Sequence, residues 1–223
     1  MRRHLDSLVK SARVARAADV TSLLIVRHGQ TTWGAQGRFV GRTDIELTGR
    51  GIRQAKAVGH RLLPMRPDLV VSSPLLRCRV TADAIVSAAG VAHPVLVHDG
   101  LIDGELGEWT GMSADDIEQR YPEQFAAWRS DADAAPPGGE SFADIRRRIT
   151  ATVCQLVEEN RGKVLVLTTH AAPSKMVVMW GLGAPTEVAY RIRVDNASVT
   201  GIDVDAENVR TVWTVNDTGH LMG

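Results

Sequence analysis

Two histidines in this chain each follow an apolar run. Leu23-Leu24-Ile25-Val26 ends at Arg27 and His28, just before Gly29-Gln30-Thr31, and Val164-Leu165-Val166-Leu167 ends at Thr168-Thr169-His170. A run of Leu, Ile and Val stopped by a loop reads as a buried parallel strand that delivers its last side chains to that loop. An imidazole presented in this way can act as a nucleophile when it is neutral. The neighbouring guanidinium of Arg27 disfavours the imidazolium and offers a fork that matches phosphate oxygens. That pairing suggests phosphoryl transfer through a phosphohistidine. Arg77 follows a further apolar run, Leu69-Val70-Val71, across Ser72-Ser73-Pro74, so it too lies just past a strand's carboxyl end. Ligands of open α/β sheets bind beyond that edge, and convergence of His28, Arg77 and His170 there marks a candidate site.

The other reactive side chains form no competing constellation. His93 and His98 differ by five positions, which in an extended segment points them to opposite faces, away from a shared metal. His4, His60 and His220 read as surface residues, and Asp203 and Asp205 as a solvated hairpin. Cys78 and Cys154 fall inside predicted helices without a metal-ligand spacing, which suits free thiols in a reducing compartment. Neither GxSxG nor GxxxxGK[ST] occurs, which weakens serine-hydrolase and nucleoside-triphosphatase readings. Lys and Arg (26) balance Asp and Glu (26), so no global field attracts nucleic acid or an anionic membrane. No apolar run reaches membrane-spanning length and the first twenty residues lack a signal-like apolar centre, so a soluble cytoplasmic protein is expected.

The elements that must hold these residues follow from periodicity and punctuation. Thr48 is a plausible N-cap for a helix running to Leu63, where Pro64 stops it. The strand at 69–71 leads through Pro74, expected in a helix's first turn, into a helix to about Ala89. Val95-Leu96-Val97 reads as a short strand before a glycine-rich loop, Asp99 to Gly111. Ser113 with Asp116 resembles a capping box, and Pro122 to Arg129 reads as another helix. Phe142, Ile145, Ile149, Val153 and Leu156 mark one face of a helix capped by Ser141. After the strand at 164–167, Pro173 is expected to open a helix to about Leu182. The segments 189–194, 199–204 and 209–215 read as strands, the last two joined by a turn at 206–208. These alternations predict a three-layer α/β/α sandwich around a mostly parallel sheet with an antiparallel edge. Residues 1–20, rich in arginine, read as a flexible extension, and 21–223 as one domain.

The motifs resemble those of the histidine phosphatase superfamily, the phosphoglycerate mutase-like fold. The resemblance rests on Arg27-His28-Gly29-Gln30-Thr31, Leu47-Thr48-x-x-Gly51-x-x-Gln54-Ala55, Ser72-Ser73-Pro74-Leu75-x-Arg77, Gly107-x-Trp109-x-Gly111, Gly138-Gly139-Glu140-Ser141 and His170, in order. Within the family it is most similar to the α-ribazole phosphatases and to the phosphatase half of ribonuclease H–acid phosphatase fusions. The resemblance implies that His28 is the nucleophile, that Arg27, Arg77 and His170 surround the phosphate, and that a loop carboxylate donates the proton. Asp103 is the first choice for that donor and Glu105 the second. Gln30, Thr31, Arg38, Arg42 and Ala171 are implied in substrate binding, with no metal and no cofactor. A small phosphorylated metabolite is the expected partner, without nucleic acid or membrane, and a homodimer stays open. Mutases of this family usually have Asn where this chain has Gly34, and Gly-Gly where it has Ala171-Ala172. Both departures favour hydrolysis over one alternative, a phosphoglycerate mutase, and the intact Arg27, His28, Arg77 and His170 count against the other, a non-catalytic phosphate binder. Relatives usually place Glu at the position of Asp103.

Overall fold

In the computed structural model, residues 19–222 are described; the extension expected at residues 1–20 lies almost wholly outside them. Alternation within the apolar runs organises the molecule. Strand β1 (Thr21–Arg27) sends Leu23 and Ile25 to one face of the sheet and Leu24 and Val26 to the other, all at most 1% exposed. Such a strand needs apolar cover on both sides, which only a central position supplies. β1 indeed pairs in parallel with β4 (Val164–Thr169) and antiparallel with β5 (Val199–Val204). β4 pairs onward with β2 (Leu69–Ser72), β2 with the short β3 (Leu96–Val97), and β5 with β6 (Arg210–Asp217). The order is β3-β2-β4-β1-β5-β6: four parallel strands and an antiparallel edge, as the sequence predicts.

After a single helical turn, α1 (Thr32–Ala35), the helices α2 (Gly49–Leu62) and α3 (Leu76–Ala89) cover the face bearing Leu24 and Val26. Two short helices, α4 (Ala114–Arg120) and α5 (Pro122–Trp128), precede α6 (Phe142–Glu159) and α7 (Ala171–Leu182), which cover the opposite face. Capping boxes at Ser113/Asp116 and Ser141/Asp144 start α4 and α6 where the sequence places them. Among the described residues no helix is long and apolar enough to cross a membrane.

Four expectations shift. Helix α3 begins at Leu76, two residues past Pro74, because Asp44 Oδ1 accepts the Leu76 N–H at 2.6 Å and supplies from a distant loop the cap that Leu75 cannot. α7 begins at Ala171, with His170 as N-cap and Pro173 inside the first turn. The segment 189–194 is no strand: Thr186–Arg191 form a 3-10 helix, since both edges of β1 are already taken and Tyr190 packs its ring against Phe142. His220 is half-buried beside the Ala197 carbonyl, at 3.0 Å, rather than at the surface.

Two glycines of the motifs are explained by a backbone crossing. A Cβ on Gly29 would collide with the Gly51 carbonyl, and one on Gly51 with the Gln30 carbonyl. Replacing a helical glycine by alanine ordinarily gains up to about 1 kcal/mol. Here the clash is with backbone, so Gly51→Ala should instead cost roughly 2 kcal/mol and lower Tm by about 5 °C. A thermal melt showing equal or higher Tm would contradict this.

Candidate active site

The strand ends deliver their side chains as a set. The His28 N–H donates to the Thr169 carbonyl at 3.0 Å, which ties the end of β1 to the end of β4. His28 Nδ1 lies 2.7 Å from the Gly29 carbonyl, which can only accept, so Nδ1 carries the proton and Nε2 keeps its lone pair. Burial, then the charges of Arg77 and Arg27, hold the His28 pKa well below the usual histidine value. The ring is therefore neutral over the physiological range. Arg27 donates from Nη1 to the Val194 carbonyl at 2.6 Å, while its buried Nε has no protein partner.

Behind His28 lies a fully buried pair. Arg77, in the first turn of α3 and 0% exposed, donates from Nη1 and Nη2 to the carbonyls of Thr43 and Gly41, at 2.8 and 2.6 Å. Its Nε donates to His170 Nδ1 at 3.2 Å, so the His170 proton resides on Nε2 and is donated to Ser73 Oγ at 2.8 Å. Burial and Arg77 push the His170 pKa well down, and its ring meets that of His28 edge-on with centroids 5.2 Å apart. Asp103 completes the group. Its Oδ2 accepts from Arg77 Nη2 at 3.2 Å and lies 3.5 Å from His170 Nδ1. Burial raises the Asp103 pKa and the charge of Arg77 opposes the rise.

A cavity of about 340 Å³ opens over this group. Arg27, His28, Thr31, Arg38, Asp103 and Ala171 line it, whereas Arg77 and His170 are enclosed beneath. Three of the candidate residues are turned elsewhere. The side-chain oxygen of Gln30 accepts from Thr48 Oγ1 at 3.0 Å. Glu105 Oε1 accepts from the backbone N–H groups of Leu106 and Gly107, so Asp103 and not Glu105 reaches the cavity. Arg42 is bound to Glu140 Oε2, at 2.8 Å, and to the Asp103 carbonyl, at 3.2 Å. A guanidinium already satisfied by a carboxylate and a carbonyl has no reason to swing into the site.

Sequence reasoning missed the cavity's far wall. Phe39, Leu106, Trp128 and Phe142 form an apolar side continuous with the aromatic cluster around buried Trp109. It also missed Lys175, whose pKa burial and then Arg27 lower. The legible signal was spacing: Lys175 lies four residues after Ala171, on the same helical face, and long helical side chains lean back toward the N-terminus.

The model of the histidine phosphatase superfamily (branch 1) matches residues 23–218. A bifunctional protein of Mycobacterium tuberculosis is 35% identical over 202 residues, covering 90% of this chain and 55% of the relative. The chain thus spans about half the length of that relative. Phosphoserine phosphatase 1 of Hydrogenobacter thermophilus is 29% identical over 203 residues, covering 91% and 95%. Among solved structures, a mycobacterial glucosyl-3-phosphoglycerate phosphatase in complex with VO3 superimposes with a TM-score of 0.81 at 29% identity, covering 88% of this chain and 99% of its own.

Proposed function

The chain belongs to the histidine phosphatase superfamily, and from that membership we propose that it hydrolyses the phosphate monoester of a small metabolite through a phosphohistidine on His28. The observation that carries the reading is the fixed tautomer of His28: a neutral ring with an unprotonated Nε2, lining a cavity beside Arg27 and Asp103. Nε2 attacks phosphorus as the ester P–O bond breaks, and the Asp103 carboxyl gives its proton to the leaving oxygen. The resulting Asp103 carboxylate then takes a proton from water, whose oxygen attacks phosphorus, breaks the N–P bond and releases inorganic phosphate.

Arg27 is suited to meeting an equatorial oxygen of the transferring group, and the charge of Arg77, enclosed beneath the cavity, adds a stabilising field. Arg77 favours the Asp103 carboxylate from beneath, and the negative charge of a bound ester at the cavity opposes it, which favours the protonated, donating form of Asp103 once an ester is bound. The apolar wall suits an ester whose alcohol part carries an apolar or planar surface, and α-ribazole phosphate or a sugar phosphate are candidates within that class.

The test is phosphate release over a panel of phosphate monoesters, with and without EDTA, vanadate and 2,3-bisphosphoglycerate. Hydrolysis is expected to persist in EDTA and to be blocked by vanadate, a mimic of the five-coordinate transition state. Activity lost to EDTA and restored by Mg²⁺ or Zn²⁺ would overturn the mechanism. Interconversion of 3- and 2-phosphoglycerate faster than the best hydrolysis would make the chain a mutase instead.

A further inference from the structure

The loop that carries Asp103 is gripped along its backbone by side chains from outside it. Arg148, on α6, donates from Nη1 to the carbonyls of Gly100 and Ile102, at 2.9 and 2.8 Å, and its Nη2 lies 3.4 Å from the carbonyl of Asp103. That last carbonyl also accepts from Arg42 Nε at 3.2 Å, and the Leu101 carbonyl accepts from Thr169 Oγ1 at 2.7 Å. Glu140 joins the two guanidiniums. Its Oε2 accepts from Arg42 Nη2 at 2.8 Å, from Arg148 Nη2 at 3.1 Å and from the Glu105 backbone N–H at 3.0 Å. The Glu140 N–H in turn donates to the Glu105 carbonyl at 2.8 Å. Four successive carbonyls, 100 to 103, are therefore held before the chain turns at Gly104, where a Cβ would strike Ile145.

Neither Arg42 nor Arg148 lines the cavity. Their charges are spent on the loop. We infer that Arg148, acting with Glu140 and Arg42, is a positioning residue that aims the Asp103 carboxyl at the leaving oxygen. Proton transfer needs the donor within about 3 Å of its target. Asp carries its carboxyl on a single methylene, so the side chain cannot make up for a backbone that drifts. The capping box at Ser141 sets the phase of α6, and with it the face on which Ile145 and Arg148, three residues apart, meet the loop while Ile149 and Val153 enter the core.

This role rests on the phosphatase reading, and leaving groups of different basicity test it. An alkyl phosphate needs the proton, and p-nitrophenyl phosphate hardly does. Misplacing a catalytic group by about 1 Å can cost roughly 100-fold, so Arg148→Met should lower kcat/KM on ethyl phosphate about 30-fold and on p-nitrophenyl phosphate less than about threefold. In an Asp103→Asn background the same substitution should cost less than about twofold on ethyl phosphate, since nothing remains to be aimed. Equal losses on both esters from a folded variant, or full additivity with Asp103→Asn, overturn the role. If Arg148→Met does not fold, Glu140→Gln, which keeps the shape and removes the charge that joins the guanidiniums, is held to the same two outcomes. A wild-type protein that releases phosphate from no ester of the panel overturns the function proposed above, and this role with it.

Discussion

His28→Ala is expected to lower kcat by roughly 10⁴-fold or more while the protein stays folded, because alanine offers no nitrogen to form the covalent intermediate. In the proposed mechanism the loss is large because the other groups act on a phosphoryl transfer that His28 begins. Arg27 at the cavity and the charge of Arg77 beneath it remain to polarise the ester, but direct attack by water would have to replace the attack by Nε2. The fold should tolerate the change. The hydrogen bond of His28 Nδ1 is local, to the carbonyl of the next residue, and the bond that ties β1 to β4 here uses the backbone N–H of residue 28, which alanine keeps. Rapid quench of the wild type with ³²P-labelled ester should trap acid-labile phosphate on His28, and the variant should trap none. A folded His28→Ala protein that keeps near-normal turnover, or label recovered on another residue, would sink the covalent mechanism.

Asp103→Asn should produce the second largest effect, and one that depends on the substrate. General acid catalysis contributes roughly 10² to 10⁴-fold where the leaving group is poor, so ethyl phosphate should lose on that order and p-nitrophenyl phosphate only a few-fold. Glu105→Gln should leave both nearly unchanged, since Glu105 is bonded to the N–H groups of its own turn. The pH dependence follows in sign. Burial raises the Asp103 pKa, so its acid form persists further toward neutrality than an ordinary carboxyl would, and kcat/KM for ethyl phosphate should fall as pH rises through that pKa. The His28 pKa is held well down, so the nucleophile stays neutral as pH falls and the acid limb lies below the usual histidine range. Asp103→Asn should abolish the alkaline limb on ethyl phosphate. If Asp103→Asn slows both esters equally while Glu105→Gln shows the selective loss, the donor is Glu105 and the assignment to Asp103 is wrong.

The sheet and the centre of the site were written in one dimension because their determinants are local. Strands covered on both faces must be apolar at every position, and each must stop where the chain turns, so Val26-Arg27-His28, Thr169-His170 and Ser72-Ser73 announce both the strands and what lies at their ends. Capping boxes are equally local, and both fell where Ser113 and Ser141 put them. What tertiary structure decided is which side chain answers which partner. Asp44 starts α3 from a loop that no window around Leu76 contains, and the closure of both edges of β1 turned 189–194 away from the sheet. Arg42 reads as a substrate ligand by its place in the chain. It becomes a clamp because Glu140, nearly a hundred residues later, reaches it first. The different placement of Asp103 and Glu105 is of the same kind. Both are loop carboxylates separated by one glycine, and the placement of Arg77, His170 and the carbonyls held by Arg148 brings one to the cavity while the other folds back on its own turn. Charged side chains are long and find their partners by distance in space, whereas apolar alternation and helix caps act between near neighbours in sequence, and that difference in range separates what could be read from the chain from what had to be folded to be seen.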